Sequence, residues 1–210
     1  IKDWSGFVAY DTRVPDAEIY NAKSIRIKNI SSLIQRLHEE GIYVIARIAV
    51  FQDPRLAQAR SDLAIHSKSK VALIPSGLST LWLDKSGLAW IDPVARTAWE
   101  YNTAIAKEAV AEGFDEINFD YVRFPSDGNL SDMFFPLWDG NTPRHLVIKD
   151  FFKYLRQELP DAKLSVDLFG LSTVNFDDLG VGQVIEDAFE YFDFVSPMIY
   201  PSHYASGFLG

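Results

Sequence analysis

The stretch Glu116–Val122, which reads EINFDYV, contains the pattern on which the fold prediction rests. A short apolar run rich in β-branched and aromatic residues predicts a buried strand. The same pattern occurs in the segments Ile42–Val50, Lys163–Phe169 and Phe194–Tyr200. The chain is therefore expected to contain a sheet built from these segments.

The segments between the predicted strands have the apolar periodicity of helices. Apolar residues three and four apart predict helices that end before Gly41, before Gly113 and at Pro160, and a last helix before the final strand. Asp92 followed by Pro93 predicts a helix N-cap with proline at the first helical position. Strands that alternate with helices predict a parallel α/β sheet.

The lengths of the connections narrow the choice of fold. Turns from helix to strand are short, whereas the strand-to-helix connections 51–91 and 124–144 are long. In a TIM barrel the long loops lie at the carboxyl-terminal face, where the active site is built. A doubly wound sheet also binds ligands at that edge, but no glycine-rich phosphate loop follows a strand here. The sequence therefore favours a (β/α)8 TIM barrel, as one domain over residues 1–210.

Composition excludes several classes of function. The 210 residues are 48% hydrophobic, which suits one domain with a substantial core. A formal net charge of -9 argues against a nucleic-acid partner. The chain has no cysteine, so thiol nucleophiles, disulfides and thiolate metal sites are excluded. Its four histidines lack ligand spacing, and no apolar run is long enough to cross a bilayer, so we expect no metal, no cofactor and no membrane insertion by this segment.

Polar residues lie at the end of every predicted strand, where the strands of a barrel converge. Asn118 and Asp120 are two apart and point to the same side of their strand, with Arg123 just beyond. Asp167 lies between apolar neighbours, where desolvation would raise its pKa. Glycoside cleavage requires two carboxyl groups in unequal environments, one as nucleophile or base and the other as acid. We therefore predict Asp120 and Asp167 as the catalytic pair.

Further residues at strand ends or in the long loops are candidates for binding a sugar. They are Lys2, Asp3, Arg47, Asn118, Arg123, Trp138, Tyr200 and His203. Each also has a structural alternative. Arg47 and Arg123 would then neutralise buried carboxylates, Trp138 would anchor its loop, and Tyr200 and His203 would belong to the core or the rim.

Several blocks of the sequence resemble the bacterial glycoside-hydrolase domain family DUF4015. Gly113–Pro125 resembles the signature strand of that family, and Ile1–Asp3 followed by Gly6–Tyr10 resembles the end of its second strand. Trp90–Pro93 and Val195–Tyr204 also match its pattern. The resemblance spans essentially the whole chain.

The resemblance implies a partial TIM barrel. Ile1–Asp3 would belong to strand two and Phe194–Tyr200 to strand six, so that strands one, seven and eight, including an upstream segment, are expected outside this chain. An open barrel exposes apolar edges, and we expect it to pair with another copy or to be unstable alone. In related α-glycosidase barrels the nucleophile is an aspartate that ends strand four, which Asp120 matches. The acid comes from strand five or six, for which Asp167 is the best match. The resemblance also favours an extracytoplasmic or cell-envelope location.

Three functions remain open at the level of sequence. The favoured one is hydrolysis of glycosidic bonds in a polysaccharide or oligosaccharide, with retention of configuration. The chief alternative is a non-catalytic carbohydrate-binding barrel associated with the cell envelope. A second alternative is a lyase or aldolase in which Lys2 forms a Schiff base. The sugar and the oligomeric state are left open.

Overall fold

The computed structural model describes residues 1–73 and 80–200, and its elements follow the alternation expected from the sequence. The strands are β1 (Val8–Tyr10), β2 (Lys23–Ile27), β3 (Ile45–Ala49), β4 (His66–Ser67), β5 (Glu116–Asp120), β6 (Met133–Phe134), β7 (Leu164–Phe169) and β8 (Phe194–Met198). The α-helices are α1 (Pro15–Ile19), α2 (Ile30–Glu39), α3 (Pro54–Ala59), α4 (Lys68–Val71), α5 (Arg96–Glu112), α6 (Arg144–Glu158) and α7 (Ile185–Phe189).

The central sheet is parallel, with the strand order β3-β5-β7-β8. The segment around Lys2 extends it beyond β3. The Lys2 N–H donates to the Arg47 carbonyl at 3.2 Å, and the Ala49 N–H donates to the Lys2 carbonyl at 3.0 Å. Strand order thus follows chain order across the sheet, as in a barrel wall, whereas a doubly wound sheet reverses its order at a switch point. The predicted α/β fold, a partial (β/α)8 barrel, is confirmed.

Helices cover the outer face of this sheet because every second strand residue there is apolar. Ile48, Ile117, Phe119 and Val166 are fully buried, and the Phe119 ring lies 6.5 Å from that of Phe151 on α6. Burying a side chain of this size contributes roughly 1.5–3 kcal/mol. Packing of the outer face therefore stabilises the sheet, and the strand residues that point to the inner face can form a functional site.

The described parts of the two long connections contain secondary structure. β4, from the first connection, pairs antiparallel with β6, from the second. Both lie beyond the carboxyl ends of β3 and β5, so this strand pair connects the two long connections at the carboxyl-terminal face of the barrel. Within the two described ranges, no helix combines the length and the apolar character needed to span a bilayer.

The helix that was predicted to start at Asp92 starts later. α5 begins at Arg96 with Ala95 as its N-cap. The Asp92 carboxylate instead accepts hydrogen bonds from the backbone N–H groups of Leu137 and Trp138, each at 2.9 Å. The N-cap prediction was wrong: the Asp92 carboxylate accepts the Val94 N–H at 3.3 Å within a turn, and the helix starts only at Arg96.

The strand predicted to run to Val122 also ends early. β5 stops at Asp120 because Tyr121 adopts a φ of +54°, in the left-handed region that breaks an extended strand. A residue without glycine's freedom is strained there by about 1–3 kcal/mol, and such strain is concentrated at functional sites. The chain is thus bent sharply where the first candidate catalytic residue lies.

Candidate active site

Strand register brings the polar inner-face residues of three strands side by side. Arg47 on β3 is paired with Asn118 on β5, and Asn118 with Ser165 on β7. The next inner-face positions, two residues further along β5 and β7, are Asp120 and Asp167. The two predicted catalytic carboxyl groups therefore lie on neighbouring strands at the carboxyl end of the sheet.

Arg47 connects the two carboxyl groups. Its Nη2 donates a hydrogen bond to Asp120 Oδ2, and its Nε lies 3.6 Å from Asp167 Oδ2. The side chain of Arg47 is 44% exposed, against 5% for Asp120 and 17% for Asp167. The other oxygen of Asp120 accepts the Tyr121 N–H at 2.6 Å. Both oxygens of Asp120 are therefore oriented, and the cluster opens to solvent on the side of Arg47.

Asp167 lies in a different electrostatic environment. Burial raises the pKa of Asp167; a hydrogen bond from Asn118 Nδ2, at 3.0 Å, lowers that pKa, the charge of Asp120 raises it, and Arg47 lowers it. The net direction is upward. A carboxyl group whose pKa is raised holds its proton to a higher pH than an ordinary aspartate, which is the property required of a general acid.

Arg123 follows β5 and enters the same site. Its guanidinium lies 4.8 Å from the ring centroid of Trp90 and 4.7 Å from that of Phe169. Nη1 donates to the Phe124 carbonyl and to Ser126 Oγ, both at 3.1 Å. Burial lowers the pKa of Arg123. This cation is thus held among aromatic rings, and Asp120, Asp127 and Asp84 are near enough to raise its pKa although none of them is in ion-pair contact with it.

A cleft of about 470 Å³ opens above these residues. Its lining includes Arg47, Asp120, Arg123, Phe169 and the half-exposed Tyr200. Asp167 lies beside it through its contact with Arg47. The structure thereby brings together Arg47, Asn118, Asp120, Arg123, Asp167 and Tyr200, six of the residues that the sequence singled out.

Lys2 and Asp3 do not join this cleft. The Lys2 ammonium lies 2.8 Å from Asp53 Oδ2, and both side chains are fully buried. It also donates to the Ala49 carbonyl at 2.6 Å. The Asp3 carboxylate accepts the backbone N–H groups of Ser5 and Phe7, at 3.0 and 3.3 Å, and so stabilises a turn.

Trp138 lies in a separate aromatic cluster. Its ring packs against Phe124 and Phe135 at centroid distances of 5.2 and 5.1 Å, and its Nε1 donates to the Thr142 carbonyl at 2.9 Å. The hollow beside it, of about 270 Å³, does not include the carboxylate pair. His203 lies outside the described residues. In the described ranges, no three His, Cys, Asp or Glu side chains are grouped so as to hold a metal ion.

The whole chain matches one known protein family. The sequence model of the family DUF4015, described as "Putative glycosyl hydrolase domain", matches residues 1–210. The chain belongs to this family. No curated protein is significantly similar to it in sequence.

Two solved structures are similar to this chain at different levels. A hypothetical protein from Ruminiclostridium thermocellum is 34% identical, with a TM-score of 0.68, over 86% of this chain and 82% of that one. A structure described as "Family GH13_31 enzyme" is 15% identical, with a TM-score of 0.52, over 92% of this chain and 43% of that one. At that identity the second likeness shows the fold alone.

Some residues that line the cleft of this DUF4015 domain were not predicted from the sequence. Phe169 lies two residues after Asp167 on the same strand, so the period of two already placed it on the inner face. Gln183 fixes the cleft wall from a distance. Its side chain accepts the Phe169 N–H at 2.8 Å and donates to the Val122 carbonyl at 3.2 Å. No local pattern around Gln183 indicates this role, because both of its partners are distant in sequence.

Proposed function

We propose that this domain hydrolyses glycosidic bonds of a polysaccharide or oligosaccharide, with Asp120 as nucleophile and Asp167 as general acid/base. The observation that carries the proposal is the pair of carboxyl groups on neighbouring strands, joined by Arg47 at the edge of an open cleft. Membership of the glycosyl hydrolase family agrees with this reaction class.

The two carboxyl groups divide the reaction between them. An Asp120 oxygen attacks the anomeric carbon while Asp167 gives its proton to the departing glycosidic oxygen, which leaves a glycosyl ester on Asp120. Asp167, now ionised, takes a proton from water, and the resulting hydroxide displaces Asp120 from the sugar. The raised pKa of Asp167 supports its role as the acid of the first step.

The strand arrangement supports retention of configuration. Neighbouring strands lie about 4.8 Å apart, and Asp120 and Asp167 follow the paired residues Phe119 and Val166 on adjacent strands. Retaining enzymes hold their carboxyl groups about 5–5.5 Å apart, whereas inverting enzymes need about 6.5–9.5 Å to admit a water. Adjacent-strand placement is closer to the first geometry.

The other polar residues of the cleft would serve this pair. Asn118 orients Asp167 by its hydrogen bond. Arg47 holds Asp120 in place and, being half-exposed, would donate to a sugar hydroxyl as the substrate enters. Tyr200, at the rim, offers a ring on which a sugar would stack.

One observation favours a second candidate function, a non-catalytic carbohydrate-binding barrel. The Arg47 guanidinium occupies an oxygen of Asp120 that a nucleophile must present to the sugar. If Arg47 keeps this contact when a glycan binds, the cleft would hold sugar without cutting it. The Schiff-base alternative finds no such support, since Lys2 is buried against Asp53.

Release of reducing ends from a panel of bacterial and plant polysaccharides tests the proposal. The full-length protein is compared with Asp120→Asn, Asp167→Asn and Asp127→Asn, the last being a matched carboxylate that lines the same cleft but has no contact with Arg47. We expect Asp120→Asn to lose activity by about 10⁴-fold or more and Asp127→Asn to retain it. Binding of a glycan by all four proteins without hydrolysis would establish the binding function instead, and equal hydrolysis by all four would remove Asp120 and Asp167 from the mechanism.

A further inference from the structure

Arg123 is a buried cation with no ion-pair partner among the described residues. It is 9% exposed, and its only hydrogen-bond acceptors among the described residues are neutral, the Phe124 carbonyl and Ser126 Oγ. Lys2, a second buried cation, lies beside Asp53. Burying a cation with no carboxylate in ion-pair contact is costly, and Asp120, Asp127 and Asp84 relieve that cost only from a greater distance. The charge of Arg123 is therefore only partly compensated within the described residues.

Aromatic rings hold the guanidinium in place. Trp90 and Phe169 lie 4.8 and 4.7 Å from it, and Tyr121 lies at 5.5 Å. These contacts offset part of the desolvation cost, because the ring faces attract a cation. Ring contacts engage the faces of a guanidinium and leave the N–H groups of its edge for hydrogen bonds in the plane.

The surroundings also fix the rings themselves. Trp90 Nε1 donates to Asp84 Oδ2 at 3.0 Å, and the backbone of Phe169 is held by Gln183 at 2.8 Å. The backbone beside Arg123 is pinned in turn, since the Phe124 N–H donates to the Val181 carbonyl at 2.8 Å. The guanidinium is thus pre-organised by segments from three parts of the chain.

One edge of Arg123 remains available to a ligand. Nε and Nη2 have no hydrogen-bond acceptor among the described residues. The buried side-chain atoms that lack a partner are known, and these two nitrogen atoms are not among them, so they are not fully buried. They therefore keep contact with solvent, and the surface that Arg123 shares with solvent is the lining of the cleft. A planar pair of N–H donors suits an oxyanion, which it binds with two parallel hydrogen bonds.

We propose that Arg123 is the anion subsite of the cleft and that the substrate is an acidic glycan, whose carboxylate or sulfate group is bound by Nε and Nη2. This inference rests on the proposed function, because it names the class of sugar that the same cleft accepts. The bound anion would supply the direct ion-pair partner that Arg123 lacks among the described residues. With a net charge of -9, the protein as a whole repels polyanions, so recognition would depend on this local contact and not on long-range attraction.

Binding of matched oligosaccharides tests the assignment. Calorimetric titrations in the Asp120→Asn background, which prevents turnover, compare a glucuronate-containing oligomer with its carboxyl-reduced neutral form and with a sulfated form of the neutral oligomer. We expect tighter binding of an acidic oligomer by about 10- to 100-fold, the worth of charge-assisted hydrogen bonds. Tighter binding of the glucuronate form identifies a carboxylate, and tighter binding of the sulfated form identifies a sulfate ester.

Variants at Arg123 separate an anion site from a structural cation. Arg123→Gln should remove the preference for the acidic oligomer while affinity for the neutral one is kept, and Arg123→Lys should keep part of the preference. Arg144→Gln is the matched control, because Arg144 also lies over two rings, those of Phe124 and Trp138 at 5.1 and 5.2 Å. Retained affinity for the neutral oligomer shows that a variant is folded.

The outcomes distinguish failure of this proposal from failure of the proposed function. If neutral glycans are cut in an Asp120-dependent manner and Arg123→Gln leaves the selectivity unchanged, the anion subsite is overturned and the hydrolase stands. If no glycan is cut or bound, free glucuronate and free sulfate still probe Arg123 through thermal unfolding. A rise in Tm with either anion in the wild type but not in Arg123→Gln supports the subsite, and no difference overturns it.

Discussion

Two cation–carboxylate clusters at the carboxyl ends of neighbouring strands differ in one respect, their access to water. Lys2 and Asp53 are both fully buried, whereas Arg47 is half-exposed above Asp120 and Asp167. The residue types are alike, and in sequence both clusters belong to the same pattern of charged strand ends. Only one of them is open to a substrate.

The reason for the difference is what covers each cluster. Asp53 caps α3 by accepting the Leu56 N–H at 2.9 Å, and the Tyr101 ring lies 5.7 Å from the Lys2 ammonium. Helix and ring close the space above this pair. No described element closes the space above Arg47, which lines the cleft. The comparison teaches that a charged strand end becomes a candidate site only where the packing leaves it uncovered.

The largest expected effect contrasts the two cations. Lys2→Met leaves Asp53 as an unpaired buried carboxylate, and we expect the free energy of unfolding to fall by about 3–5 kcal/mol. Arg47→Met, the matched change in the open cluster, should cost less stability than Lys2→Met, about 1–3 kcal/mol, because Arg47 is itself half-exposed and the Tyr121 N–H still bonds Asp120, while glycan hydrolysis is lost. Urea unfolding measures both variants. Equal losses of stability would mean that the two clusters do not differ in the way described.

A smaller effect sharpens the role of Asp167. Its raised pKa keeps the acid protonated as pH rises, so kcat/KM should fall when the pH passes that pKa. This fall is the alkaline limb of the pH profile. Asp167→Asn should lower activity by about 10²- to 10⁴-fold and abolish the alkaline limb. The free energy of unfolding should also fall as the pH rises. The pKa of Asp167 is higher in the folded protein than in the unfolded chain, so its stabilising contribution is complete below the unfolded-state pKa and is lost as the pH rises through the folded-state pKa.

The wild type should therefore lose stability relative to Asp167→Asn across that window of pH. Activity profiles and unfolding curves at a series of pH values test both expectations. Asp127→Asn should keep the wild-type limb. An alkaline limb that survives in Asp167→Asn would assign the acid to another group.

The smallest effect concerns Asn118. Its side chain donates to Asp167, which lowers the pKa of that carboxyl group. Asn118→Ala should therefore move the alkaline limb to higher pH, by less than about one unit for one hydrogen bond. Ser165→Ala is the control, since Ser165 accepts from the same amide at 3.0 Å but has no hydrogen bond to Asp167. A limb that moves to lower pH would contradict this role for Asn118.

Local signals predicted the fold well because strands and helices are specified by short-range periodicity. All four predicted strands are present and parallel, and the helix before Gly113 ends there, where a φ of +101° suits glycine. The errors fall where distant contacts decide. Asp92 bonds the backbone of a loop far along the chain, and the bend at Tyr121 shortens β5.

The candidate site could be predicted in part for the same reason. Asp120, Asn118 and Asp167 lie on inner faces because side chains alternate along a strand, and this follows from the sequence alone. Trp138 joins another cluster because Phe124 and Phe135 pack on it.

The sequence by itself determined the alternation of strands and helices, the family, and the position of Asp120 and Asp167 in predicted strands. Tertiary structure alone decided which charges are covered: Lys2 beneath α3, Arg47 open to the cleft, and Arg123 between rings from separate segments. The physical reason is that desolvation depends on the atoms that surround a charge, and those atoms come from parts of the chain that no local pattern connects.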